Sequence, residues 1–237
     1  MISNNKIIVM GGTSGIGLAT ARQLLTSGAQ VAVAGREENR AAQVRQENPG
    51  LSVEVLDASS AEALQKFYSK LGSFTDLVLC VSGAKGSGLF AQLSAADLLT
   101  GFQEKFFTQF LAAQQALPYL DKAGSLTFVS AISARAANPG TAGLAAINGA
   151  IEAMIKVLAR ELKPLRVNAV SPGVVETGWW DKVPSSSREQ LLKQSANASL
   201  LGRNGKPEEL ADAIVFLIRN QFITGTILEV DGGMRLS

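Results

Sequence analysis

Lys6-Ile-Ile-Val-Met-Gly-Gly-Thr-Ser-Gly-Ile-Gly-Leu18 is the stretch whose reading decides the fold. Ile7 to Met10 is an apolar run that predicts a buried parallel strand. It breaks into a glycine-rich turn, and the turn opens a helix predicted over residues 14–26. Gly11, Gly15 and Gly17 stand where a strand must reverse tightly and where backbone must approach a bound phosphate. The helix N-terminus behind them offers unpaired N–H groups and the positive end of a dipole. That is chemistry for a pyrophosphate. The spacing is G-x-x-x-G-x-G rather than G-x-G-x-x-G, and an ordinary βα turn also needs glycine. The position between a clear strand and a clear helix favours the nucleotide.

Working outward, strand-like and helix-like runs alternate. Strands are predicted at 6–10, 30–34, 52–56, 77–81, 125–130, 166–170 and 227–230. Helices are predicted at 14–26, 37–47, 60–71, 94–118, 143–163, 187–198 and 207–219. This alternation predicts a doubly wound α/β fold with a parallel sheet and helices on both faces. The 237 residues suit one domain, and an apolar fraction of 46% fills a two-sided core. The least regular stretch, 178–195, reads as a loop or lid; it carries Trp179, Trp180 and Pro184.

Composition excludes several functions. A net charge of +2 with no basic tract argues against nucleic acid or an acidic membrane as partner. No apolar run approaches the roughly 20 residues of a bilayer span, and no signal pattern is evident. A single cysteine, Cys80, fits a reducing, cytoplasmic compartment. The chain has no histidine, so the usual neutral-pH acid–base group is missing and a zinc site is not expected.

The end of the second strand bears on the cofactor. A dinucleotide fold places an acid there for the ribose 2′-hydroxyl of NAD, or an arginine for the 2′-phosphate of NADP. Here the strand ends at Gly35, without a carboxylate, and Arg36 follows. A guanidinium grips a phosphate bidentately, so NADP(H) is expected. Asp57 either accepts from an adenine amino group or caps the next helix.

Further landmarks are Asp76-Leu-Val, Arg166-Val-Asn-Ala-Val-Ser-Pro-Gly-Val-Val-Glu-Thr177, Leu201-Gly-Arg-Asn-Gly-Lys-Pro-Glu-Glu209 and Ile223-Thr-Gly-Thr-Ile-Leu-Glu-Val-Asp-Gly-Gly-Met234. With the glycine turn, they make the chain resemble the short-chain dehydrogenase/reductase family over almost its whole length. The resemblance implies a single-domain Rossmann fold of about seven parallel strands over residues 1–237, a nicotinamide dinucleotide site, and a homo-oligomer, tetramer or dimer. Carried over, it gives Gly11, Gly15, Ile16 and Gly17 to the pyrophosphate, Thr13 and Ser14 to the cofactor site, and Asp57 to adenine. It gives Pro172, Gly173, Val175 and Thr177 to the nicotinamide. Gly83 is the glycine of the Asn-Asn-Ala-Gly motif, whose other members depart to Cys80-Val-Ser.

The acid–base half departs further. The family pairs Tyr-x-x-x-Lys on one helix with a serine and an asparagine. The tyrosine protonates the nascent alkoxide, and the lysine one turn away lowers the phenol pKa. Anchored on Asn138-Pro-Gly140, the resemblance puts Leu144 in the tyrosine place, Asn148 in the lysine place, Ala131 in the serine place and Lys105 in the asparagine place. The two tyrosines, Tyr68 and Tyr119, have no lysine four residues on, so no shift of alignment restores the pair. Lys105 either anchors an anion or proton in the cleft, or snorkels from the apolar helix of Phe102, Phe106, Phe107 and Phe110. Ser130 and Ser133 flank the lost serine, and Trp179 and Trp180 cap a ligand or anchor an interface. The expectation is an NADP(H)-binding protein with a degenerate active site and weak or atypical oxidoreductase activity, a redox sensor or partner subunit. The alternative is an active NADPH-dependent carbonyl oxidoreductase with Lys105 or a nearby serine as proton donor.

Overall fold

The computed structural model describes residues 2–237. Strands β1 (Lys6–Met10), β2 (Gln30–Gly35), β3 (Ser52–Val55), β4 (Phe74–Leu79), β5 (Leu120–Val129), β6 (Arg166–Pro172) and β7 (Ile227–Val230) form a seven-stranded sheet in the order β3-β2-β1-β4-β5-β6-β7. Every pairing is parallel. The helices are α1 (Gly15–Thr26), α2 (Glu38–Glu47), α3 (Ala61–Leu71), α4 (Ala95–Gly101), α5 (Thr108–Ala116), α6 (Ala142–Glu161), α7 (Ser185–Ala198) and α8 (Pro207–Arg219). This is the doubly wound Rossmann-type fold that the alternation predicts.

Both faces of the sheet are covered, which is why its strands are apolar throughout. Ile8, Met10, Leu77, Leu79, Leu126 and Phe128 pack beneath α3, α5 and α6. Ile7, Val9, Val31, Val33, Val78 and Val170 pack beneath α1, α2 and α8. Ile7 and Ile8 are fully buried on opposite faces, and burying each contributes about 2 kcal/mol. Slipping β1 by one residue would exchange their faces and lose that fit.

The strand order reverses between β1 and β4, and the crevice at their carboxyl ends opens there. Gly11 enters it with φ of +75°, a left-handed conformation, and a Cβ would sit 2.8 Å from the Cys80 carbonyl carbon. Gly17 lets α1 rest against the Gly11 carbonyl, with no room for a side chain.

Four expectations need correction. The helix predicted over 94–118 is interrupted by a π-helical turn, Phe102–Phe107, where the Thr108 hydroxyl reaches back five residues to the Gln103 carbonyl at 2.8 Å. The predicted loop over 178–195 is mostly helical: a 3-10 turn, Gly178–Lys182, runs almost directly into α7. β4 begins three residues earlier and ends two earlier than predicted, since Phe74 pairs with Leu120 on a β5 that also starts early. Finally, α6 has the length and composition of a bilayer span, with a mean hydropathy of 1.5, although no run of that kind was expected. It packs on the sheet and carries buried Asn148 and Glu152 in polar contacts, as a core helix does.

Candidate functional site

A cleft of about 880 Å³ lies over the carboxyl ends of β1, β4, β5 and β6. Gly11, Thr13, Ser14, Ile16, Arg36, Asp57, Gly83, Pro172, Gly173, Val175 and Thr177 all line it. So do Lys105, Ser130, Ala131, Ser133, Leu144, Asn148, Trp179 and Trp180. Gly15 and Gly17 lie in the first turn of α1, behind the wall.

One half of the cleft suits a dinucleotide. Ser14 occupies the N-cap of α1, yet no side chain caps the helix, so its first N–H groups are left for a ligand. At the end of β2, a Cβ on residue 35 would collide with the Thr13 hydroxyl. An acid is therefore excluded from that position by packing. Arg36 is exposed and has no side-chain partner among the described residues; Arg40, beside it on the wall, pairs with Glu37 at 3.3 Å. Asp57 accepts from the Ser59 backbone at 3.0 Å and hydroxyl at 2.7 Å. Those bonds, with Arg36 nearby, hold its carboxyl below the usual range. It does not cap α3; the Ser60 hydroxyl does, accepting from Ala63. Gly83 is a glycine because Glu104 fills the space of its Cβ while accepting from the Ala84 N–H at 2.9 Å.

The lid closes on the same edge. The Trp179 indole donates to the Gly83 carbonyl at 3.1 Å, and that of Trp180 to Val175 at 3.0 Å. The two rings meet edge to face, 5.2 Å apart. The paired indoles span the cleft mouth between β4 and β6.

The other half holds a buried lysine. The π-helical turn aims Lys105 inward, while Phe107 and Phe110 on the same helix stay exposed. Its ammonium does not snorkel: it is 9% exposed and donates to the Ser130 carbonyl at 2.9 Å. Burial pulls its pKa down to about 8, against weaker opposing pulls from Cys80 and Glu152. Burial also pushes the Cys80 thiol up to about 12. The Ser130 hydroxyl donates to Glu152 at 2.8 Å, so it is committed to structure. Glu152 also takes Arg135 at 2.9 Å, Arg135 takes Glu229 at 2.5 Å, Glu229 takes Arg235 at 2.6 Å, and Arg235 takes Asp231 at 2.9 Å. Sequence reading missed this chain of ion pairs. Arg135 and Glu229 are 94 residues apart, and no local pattern joins them. Asn148 donates to the Ser133 hydroxyl and the Leu144 carbonyl, leaving its own side-chain oxygen buried and unpartnered.

The buried ammonium sets a pH dependence. Its native pKa of about 8 lies below the 10.5 of an ordinary lysine. Between those values the unfolded chain holds the proton and the native state does not, so stability rises with pH across that window. Below it, the buried charge costs about 3 kcal/mol. Lys105→Met should therefore melt above the native protein at pH 7, and the gap should close between pH 8 and 10.5. Paired thermal melts across that range check it; a gap independent of pH would refute the assignment.

Comparison with known proteins places the chain. A family model described as enoyl-(acyl carrier protein) reductase matches residues 11–235. The chain is 30% identical to the 3-oxoacyl-[acyl-carrier-protein] reductase FabG of Thermotoga maritima, over 96% of both chains. It is also 30% identical to the L-fucose dehydrogenase of Bos taurus, over 97% of this chain and 89% of that one. Among solved structures, a small-chain dehydrogenase in complex with NADPH superposes with a TM-score of 0.87 at 32% identity, covering 99% of this chain and 100% of its own. The MalC reductase/Diels-Alderase of Malbranchea aurantiaca does so with a TM-score of 0.89 at 25% identity, covering 100% and 98%. These relatives differ in chemistry and agree in architecture: the chain belongs to the short-chain dehydrogenase/reductase family.

Proposed function

We propose that this protein binds NADP(H) and carries a degenerate active site with at most weak or atypical oxidoreductase activity, as a redox sensor or partner subunit. One observation carries this reading. The cleft wall presents Ala131, Leu144 and Asn148 where the family resemblance puts a serine hydroxyl, a tyrosine phenol and a lysine ammonium. Neither tyrosine reaches the cleft. Tyr68 is fully buried and donates to the Ala112 carbonyl at 3.0 Å, and Tyr119 packs against it with ring centroids 6.1 Å apart. An alkoxide formed there would face water or an apolar wall, with no phenol or hydroxyl at the family positions. Losing general acid catalysis slows a carbonyl reduction by roughly 10²–10⁴.

The cofactor half supports the phosphorylated dinucleotide. Gly11, Gly15, Ile16 and Gly17 are read as the pyrophosphate cradle, Thr13 and Ser14 as further cofactor contacts, Arg36 as the 2′-phosphate ligand and Asp57 as the adenine contact. Pro172, Gly173, Val175 and Thr177 are read as the nicotinamide wall, and Gly83 as a further cofactor contact. A 32%-identical neighbour solved with NADPH supports the same choice. Residues 1–237 act as one domain in this reading, and the free Cys80 suits a cytoplasmic protein. A homo-oligomer, tetramer or dimer, is supported by Phe107, Phe110 and Val157, which expose apolar surface on the α5 and α6 face. The alternative, a carbonyl reductase with an unusual donor, draws on Lys105 alone, since the Ser130 hydroxyl is held by Glu152.

Calorimetric titration should give tighter binding of NADPH than NADH, and Arg36→Asp should reverse the order; equal native affinities would sink the cofactor reading. With NADPH bound, ordinary ketones and aldehydes should turn over about 10²–10⁴ more slowly than with an active relative. Leu144→Tyr alone should not restore the rate, because the phenol would lack its lysine. The triple change Ala131→Ser, Leu144→Tyr and Asn148→Lys should recover part of it. Rapid reduction of those ketones or aldehydes by the native protein in a spectrophotometric assay would overturn the degenerate site. Light scattering at micromolar concentration should report an oligomer, and a monomer would refute the assembly.

A further inference from the structure

We propose that Lys105 is an oxyanion receptor and that the acceptor suited to this cleft is a quinone, whose reduced form is a phenolate rather than an alkoxide. The inference rests on the NADP(H) reading above. It starts from an electrostatic imbalance. The Lys105 ammonium has three donors and spends one, on the Ser130 carbonyl. No carboxylate stands within ion-pair distance of it among the described residues. Glu152, the acid that acts on it electrostatically, has its two oxygens taken by Ser130 and Arg135. Cys80, the other titratable neighbour, is a neutral thiol near pH 7. A buried cation with free donors on the wall of an open cleft is complementary to an anion.

The cleft narrows the class of anion. The cleft that Lys105 lines also presents Ala131, Leu144, Ile147, Val175 and Trp179, together with the polar Ser133 and Asn148. Such walls fit a flat ring better than a short hydrophilic acid. The missing phenol points the same way. An ordinary ketone leaves an alkoxide, whose conjugate acid is about as weak as water. Without a positioned acid that product is poorly stabilised. A quinone leaves a phenolate, and a phenol has a pKa of about 10. An ammonium suffices to hold that charge.

The chemistry balances as follows. When bound, the reduced nicotinamide supplies a hydride, which is two electrons and one hydrogen nucleus. One quinone oxygen gains the hydride as a new O–H bond, and the ring electrons shift to place a negative charge on the second oxygen. Lys105 passes a proton to that phenolate and recovers one from water. The sum is quinone, NADPH and one proton giving hydroquinone and NADP⁺.

The first test needs no turnover. 4-Nitrophenol changes colour on ionising, so its absorbance reports a phenolate directly. In the presence of native protein saturated with NADP⁺, its apparent pKa should fall by about one unit, a tenfold preference for the anion. Lys105→Met should abolish the shift and Lys105→Arg should retain it; thermal melts and cofactor titration confirm that both variants fold. No shift with native protein, or a shift that survives Lys105→Met, overturns the receptor. The second test is NADPH oxidation. Menadione should be consumed about 100-fold faster than cyclohexanone, and Lys105→Met should lose most of that advantage. NADPH that binds while menadione stays unreduced overturns the quinone assignment. A nitrophenolate shift without any NADPH binding would instead overturn the cofactor reading and the quinone step with it, and leave the anion site standing.

Discussion

Everything in this molecule hangs on how two parallel strands part. The Cys80 N–H meets the Met10 carbonyl at 2.8 Å, the last bond between β1 and β4, and the Gly11 N–H turns the other way to the Ala34 carbonyl at 2.9 Å. From that point the two chains leave on opposite faces of the sheet, one into α1 and the other toward the π-helical turn. A side chain at residue 11 would strike the Cys80 carbonyl. The glycine therefore fixes the crevice, and the crevice fixes where α1 delivers its uncapped N–H groups. Lys105 lies on the far wall of the same opening because Gln109, one helical turn on, bonds the carbonyls at the ends of β4 and β5, at 2.8 and 3.1 Å.

Some of the residues that make the sequence recognisable hold the fold rather than a ligand. Arg166 is buried and donates to the carbonyls of Leu217, Ile218 and Asn220, which end α8. A cation there satisfies orphan acceptors and the negative end of the helix dipole together. Asn168 bonds Ile223 and Thr226 and so ties β6 to the chain entering β7. Asp76 gathers the hydroxyls of Ser125 and Thr75 and the Asn5 amide beneath the sheet. These contacts cluster where Asp76, Ser125 and Arg166 stand side by side, toward the amino ends of β4 and β6 and at the start of the ladder they share with β5.

The alternation of apolar runs made the layers legible in advance, since a strand buried on both faces and an amphipathic helix leave different periods. The cofactor half was legible for a related reason. Its residues sit in short segments after strands, where glycine and arginine carry a local meaning at Gly11 and Arg36. The opposite half was not. The π-helical turn has no compositional mark, so Lys105 could be read as snorkelling, yet one extra residue in that turn directs it inward. The lid was read as irregular because Trp179, Trp180 and Pro184 break any helical period, although Pro184 simply precedes the first residue of α7. The ion-pair chain from Glu152 to Asp231 was invisible, because its partners are joined by tertiary structure alone.

That chain ties the second half to the C-terminal segment. Glu152 binds the hydroxyl of Ser130, and Ser130 offers its carbonyl to Lys105. The position of the ammonium is thus set by residues that reach through Arg135, Glu229 and Arg235 to Asp231, which in turn bonds the N–H groups of Gly233 and Arg235. The three acids are matched by Arg135, Arg235 and Lys105, so the cluster is neutral only while the lysine is protonated. Among the described residues Arg135 and Arg235 are the only cations paired with these acids, and two cations against three acids leave one negative charge to be balanced at a distance. This arrangement lets a buried amine keep its proton near neutral pH without a carboxylate touching it. The cleft wall therefore carries a buried cation that no carboxylate touches among the described residues.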